Sequence, residues 1–158
     1  MAISGTFSAG DQVSGEAFDC AVDQTPSSSS FVQIESWATD IQVAGGDTPV
    51  SNFNTFDVPI VYTGEQNPYT VTVTCVYSEA AATDVFPEIY DDYVAAPGLA
   101  YDFRWTPKGN TTGNFRFTTS GGKLVNVMHP SWTATGATPS TFQFVIACSA
   151  ITRDTVPV

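Results

Sequence analysis

A mainly β fold with hairpin-linked strands, one α-helix and one long extended loop is what this 158-residue sequence predicts. Three observations carry that reading. Several segments alternate apolar and polar residues with period two, as a strand buried on one face must. One segment alone repeats its apolar residues at helical spacing. Charged residues make up only 13% of the chain, about half the ~25% usual in soluble domains, so much of the surface is Thr, Ser, Asn, Gln and Gly. Hydrophobic residues at 42% and aromatics at 13% exclude a disordered chain. The length fits a single domain over 1–158, which should bury roughly 68–70% of its unfolded surface.

Strands are expected near 12–22 and 31–43, separated by a polar loop in which Pro26 precedes Ser27 to Ser30. Residues 45–68 follow, with three Pro, three Gly and three Asn and no sustained period. Unstructured connections beyond about 12–15 residues are usually functional or disordered. This one carries Phe53, Phe56, Ile60, Val61 and Tyr62, in which disordered segments are poor. It therefore reads as an arm whose apolar side chains are buried against its own domain or a neighbouring subunit.

The clearest strand spans 69–77: Tyr69, Val71, Val73, Cys75 and Tyr77 point one way, and Thr70, Thr72 and Thr74 the other. A helix over about 83–95 comes next. Ser78 or Thr83 can cap it, Asp84 sets negative charge at its positive end, and Pro87 is tolerable only in the first turn. Val85, Phe86, Ile89, Tyr90 and Tyr93 should face a sheet, with Glu88, Asp91 and Asp92 on the solvent side. Pro97 and Gly98 end it. Further strands are marked by Leu99, Tyr101, Phe103 and Trp105, by Phe115 and Phe117, by residues 123–129, and by Phe142, Phe144, Ile146 and Cys148. Turn chemistry at 110–113 and 120–122 predicts hairpin connections. Trp37 and Trp105 fall in strand patterns and are expected in the core.

Charge is divided along the chain. Residues 1–103 hold 15 of the 16 acids and no Lys or Arg; Arg104, Lys108, Arg116, Lys123 and Arg153 follow, against Asp154 alone. A segment of net −15 thus precedes one of net +4, giving −11 in all. Either the fold shows opposite patches that attract identical subunits head to tail, or strands from the two halves interleave and the charges mix. Net acidity disfavours nucleic-acid binding, which depends on Lys and Arg neutralising phosphates.

No run of 18 apolar residues is present to span a membrane, and residues 1–10 lack a signal peptide's features, so the chain is expected to stay in the cytoplasm until assembly. Cys20, Cys75 and Cys148 are odd in number and far apart, which predicts buried free thiols. Chemistry has little to stand on. His129 is the one histidine, and GxSxG, HExxH, GxxxxGK[ST] and GxGxxG motifs are absent. No catalytic residue, metal ligand or cofactor site is expected. A glycosidase pair could be drawn from sixteen carboxylates, but nothing singles one out.

From Thr63 onward the chain resembles the tail tube (major tail) proteins of long-tailed, siphophage-like bacteriophages. The matching segments are TGEQNPYTVTVTCVYSE at 63–79, DVFPEIYDDY at 84–93, RWTPKG at 104–109 and FQFVIACSAIT at 142–152. The resemblance implies an antiparallel β-sandwich or barrel-like subunit with one flanking helix. It also implies hexameric rings stacking into a hollow virion tail tube, assembled in the host cytoplasm, with DNA passing through unbound. Partners would be further copies of the chain and other tail proteins. The long loop would reach the adjacent ring, making Phe53, Phe56, Ile60 and Tyr62 its assembly residues. Arg104 and Lys108 become candidate ring-stacking charges. Asp11, Glu16, Asp19 and Asp23 become candidate acids lining the bore, where negative charge repels phosphate over a Debye length of about 8–10 Å. Competing expectations are a capsid decoration or tail-completion protein, and a carbohydrate-binding module. The module requires Trp37, Trp105 and Trp132 to be exposed and coplanar.

Overall fold

The strongest alternation in the sequence forms the middle of a sheet. A computed structural model describes residues 18–54, 59–131 and 139–158. It contains strands β1 (Asp19–Asp23), β2 (Val32–Gln33), β3 (Ala38–Gly45), β4 (Val50–Asn54), β5 (Pro59–Thr63) and β6 (Tyr69–Val76). Helix α1 (Val85–Ala95) follows, then β7 (Asp102–Thr106), β8 (Phe115–Ser120), β9 (Lys123–Ser131), β10 (Thr141–Cys148) and β11 (Ala150–Thr155). All pairings between them are antiparallel.

Two sheets face each other. One has the order β11-β8-β7-β1-β2 and the other β3-β6-β10-β9, while β4 and β5 pair only with each other. Val71, Val73 and Cys75 of β6 and Phe142, Phe144, Ile146 and Cys148 of β10 point into the interior, as their period-two pattern requires. From the opposite sheet Cys20, Val22, Phe103 and Trp105 complete the core. The Phe103 ring meets Phe144 edge-on with centroids 6.5 Å apart, and Trp105 stacks between Phe103 at 5.7 Å and Phe117 at 5.4 Å. The architecture is the sandwich expected; it is not a closed barrel.

The turn at 110–113 joins the β7–β8 hairpin as predicted, but residues 120–122 do something else. They carry the chain from β8 in one sheet to β9 in the other, and Ser149 carries β10 to β11 beside them, its amide and hydroxyl both donating to the Ser120 carbonyl. Residues 115–131 and 141–155 are therefore one long antiparallel ribbon bent across both sheets. Gly122 makes the bend possible, because a Cβ there would lie 2.1 Å from the Tyr101 carbonyl oxygen. The Asp102 carboxylate accepts the Gly122 amide at 2.9 Å and the Thr119 hydroxyl at 3.1 Å.

A second correction concerns 31–43, which is two strands rather than one. A turn in which the Trp37 and Ala38 amides donate to the Ile34 carbonyl moves the chain from β2 to β3 and so between sheets. The helix begins two residues later than expected, with Asp84 at its N-cap. Ser78 does not cap it; its hydroxyl donates to the Asp84 carboxylate at 2.6 Å and holds that carboxyl below the usual carboxylate range. Val85, Phe86 and Ile89 are buried, and Phe86 packs on Phe142, Tyr77 and Tyr90. Asp92 is more than a solvated charge, since it accepts hydrogen bonds from Gln24 at 3.0 Å and Tyr101 at 3.3 Å, tying the helix to the β1–β7 sheet.

Candidate assembly surfaces

Residues 45–68 form a structured arm. Gly45 and Gly46 take positive φ values of 83° and 75°, and a Cβ on either would collide with Pro68 or the Tyr69 ring, so the chain turns out of β3 only through glycine. β4 and β5 then pair as a hairpin from Val50↔Thr63 to Asn54↔Pro59. Its base is closed by the Gly64 amide donating to Pro49, the Asn67 amide donating to Asp47, and Gln66 donating to the Gly46 carbonyl and the Tyr69 hydroxyl. The arm was expected to be irregular, and it is a β-hairpin.

Its described large apolar side chains do not fold back. Val50 is 59% exposed, Val61 61% and Tyr62 57%. Phe53 and Ile60 stand opposite each other in register, while their side chains, and all of Phe56, lie outside the described residues. Since β4 and β5 pair only with each other among the described residues, the expectation that their apolar groups are buried points away from the described part of the domain that carries them.

The predicted charges divide. Asp23 is only 1% exposed, and its carboxylate accepts the Thr25 amide at 2.9 Å. It closes a turn after β1, and this removes it from the bore-lining acids. Asp19 is partly buried; desolvation and then Glu35 raise its pKa, and Arg104 pulls it back down. Asp11 and Glu16 lie outside the described residues. Arg104 is engaged within the subunit, its guanidinium 4.3 Å from the Phe31 ring centroid. Burial and then Arg116 lower its pKa. Lys108 is exposed in the loop between β7 and β8. Where β1 meets β7, Ala21 pairs with Arg104 and Asp19 with Thr106, so early acids and late bases do mix on that face.

At the end of β8 remote from the bend, Pro107, Lys108, Gly113, Asn114, Phe115 and Phe117 line an open cleft of about 360 Å³. Phe115 is 56% exposed, with Arg153 lying over its ring at 4.8 Å. Sequence reasoning missed this cleft because its walls come from separate segments, although the pair Phe115 and Phe117 was visible as a strand. Arg116 and Asp154 form the one ion pair among the described residues, bidentate at 3.0 and 2.6 Å.

Nothing in the described residues assembles a reactive centre. His129 is exposed and its ring sits 5.6 Å from Tyr90. No group of three or more His, Cys, Asp or Glu is placed to hold a metal ion among them. All three cysteines are buried and free; burial pushes the Cys75 thiol up to about 12 and raises Cys20 and Cys148 as well. They stay protonated and unreactive at neutral pH. Trp105 is 9% exposed and Trp37 packs against the core, which denies both to a flat sugar platform; Trp132 lies outside the described residues.

No protein-family model matches the chain, and no curated protein is similar to it in sequence. Solved structures are similar in fold. A chain of an extracellular contractile injection system, from its PVC sheath-tube complex in the extended state, aligns with a TM-score of 0.62 at 11% identity, covering 96% of this chain and 100% of that one. A chain of the anti-feeding prophage baseplate gives 0.63 at 9% identity, covering 89% and 94%. A chain from the tail of the gene transfer agent particle, determined with C6 symmetry, gives 0.58 at 10% identity, covering 90% and 97%. The chain thus shares its fold with chains of contractile injection systems and of a gene transfer agent tail.

Proposed function

We propose that this chain is a non-enzymatic, tube-forming structural subunit of a phage-tail-like particle. Copies close into hexameric rings, and the rings stack into a hollow tail tube by docking their β4–β5 arms on neighbouring subunits. The observation that carries this reading is the arm itself: a built hairpin whose Val50, Val61 and Tyr62 are left exposed by their own domain. Exposed apolar groups clustered on one projection mark an interaction site. The fold shared with contractile injection systems and with a C6-symmetric tail supports the ring and the tube. Siphophage-like and contractile particles both remain consistent with that fold.

In the assembled tail, DNA passes through the bore without specific binding. Net charge of −11 and carboxylates such as Asp11, Glu16 and Asp19 disfavour phosphate attachment, which even 6–10 basic contacts would make tight and strongly salt-dependent. Negative-stain electron microscopy of the purified chain across concentration, at low and moderate salt, tests the proposal. Hollow tubes or stacked rings are expected. Discrete trimers or single rings would point instead to a capsid decoration or tail-completion role, and monomers at every concentration would remove self-assembly by this chain alone.

A further inference from the structure

We infer that the aromatic, cationic cleft at the distal end of β8 is the receptor for the β4–β5 arm of another copy; this rests on the tube-subunit reading above. The match is chemical on both sides. Residues 45–68 contain Asp47, Asp57 and Glu65 and no Lys or Arg, alongside exposed Val50, Val61 and Tyr62. The cleft offers Phe115 and Phe117 as apolar walls, with Lys108 on its lining and Arg153 over Phe115. Neither cation has a salt-bridge partner among the described residues. An acidic apolar hairpin and a basic apolar cleft are complementary in charge, and such complementarity fixes register and suppresses wrong partners.

Within one subunit the base of the arm and the cleft stand at opposite ends of β8. Gly45 pairs with Tyr69, and Tyr69 with Cys148, so the arm leaves the fold beside the bend at Ser149. The cleft lies at the other end of β8, where Phe115 pairs with Thr155. Those ends, Phe115 and Ser120, are five residues apart, about 16 Å at ~3.3 Å per residue. Two unlike surfaces at opposite ends of one subunit make a heterologous contact, which propagates from copy to copy as rings or filaments. The uneven charge along the chain thereby acquires a place: the arm belongs to the base-free first 103 residues, and both cations of the cleft to the last 55.

The full-length chain carrying the photo-cross-linker p-benzoyl-phenylalanine in place of Tyr62 tests the contact directly. After irradiation, adducts on residues 107–117 or 153 of a second copy are expected by mass spectrometry. In parallel, Lys108→Glu should raise the critical concentration for assembly by roughly tenfold, as a loss of ~1.4 kcal/mol would do. Adding Glu65→Lys to that variant should recover much of the loss. Tubes whose adducts lie elsewhere, or unaltered assembly of Lys108→Glu, overturn the cleft and leave the tube standing. Discrete oligomers with adducts at 107–117 keep the cleft and remove the tube. Absence of both adducts and assembly overturns both.

Discussion

Along β6 and β10 every second side chain is withdrawn from water, whereas along β4 and β5 Val50, Val61 and Tyr62 keep more than half their surface exposed. Both pairs are antiparallel ladders in continuous register. The difference lies in what faces them. β6 and β10 have a second sheet across the core to receive Val73 and Phe144, and full burial of such a side chain contributes about 1.5–3 kcal/mol. Among the described residues no sheet lies across from the arm, and on the proposed reading the same free energy would serve association, where it must offset lost translational and rotational freedom. One region spends its apolar surface on the subunit, and the other, on the proposed reading, holds it for a partner.

Substitutions can break or sharpen this contrast, and their effects on subunit stability should fall in a definite order. Phe144→Ala, at a fully buried site, should cost about 3–5 kcal/mol in denaturant unfolding; a much smaller loss would mean the core is loosely packed. Gly122→Ala forces a methyl against the Tyr101 carbonyl oxygen and should cost about 1–3 kcal/mol, read as a lowered Tm. Asp154→Asn removes an exposed ion pair with Arg116 and should cost about 0.2–1 kcal/mol, less at high salt.

The same pair sets a pH dependence. Its hydrogen bond to Arg116 holds the Asp154 carboxyl below its unfolded value of ~3.9. Its contribution is therefore present above that pH and fades as pH falls through the depressed folded value. In acid titrations followed by unfolding, wild type should lose stability below about pH 4 slightly faster than Asp154→Asn. Smallest of all is the arm: Val61→Ser with Tyr62→Ser should change subunit stability by no more than ~0.5 kcal/mol while abolishing tubes in electron micrographs. Unfolding of that variant, or normal tubes from it, would erase the distinction between the two regions. Phe53→Ala with Phe56→Ala should behave in the same way.

What could be read from the sequence follows this contrast. Strands β6 and β10 and the apolar face of α1 were legible because a buried face imposes a period on the residues that form it. The hairpin in residues 45–68 was not, since Val50, Val61 and Tyr62 are exposed and no alternation is enforced on them; only its aromatic content betrayed it. Turn chemistry at 120–122 was recognised, yet a sequence cannot distinguish a hairpin turn from a corner between sheets, because both ask for Gly and Ser. Asp23 and Asp92 looked like surface acids along the chain. Their partners, the Thr25 amide on one side and Gln24 with Tyr101 on the other, become visible only in three dimensions. The cleft was hidden for a related reason, as residues 107–117 and Arg153 meet only through the pairing of β8 with β11.

The bent ribbon has a consequence for how the chain reaches this state. Because 115–131 and 141–155 are partners along one ribbon, with register shifts between Thr141 and Gln143 and between Val145 and Ile146, closing the connection between β9 and β10 would bring Thr141 to Ser131 first and the later rungs after it. Zippering from that point runs through β9 and β10, passes the Gly122–Ser149 corner, and lays down β8 and β11 in the opposite sheet. Two of the four strands of one sheet and two of the five strands of the other would thereby be templated by one loop closure instead of two, which lowers the entropy spent before non-local contacts form. Folding-rate measurements should find Ile146→Val slowing refolding, and Val71→Ala, outside the ribbon, mainly quickening unfolding.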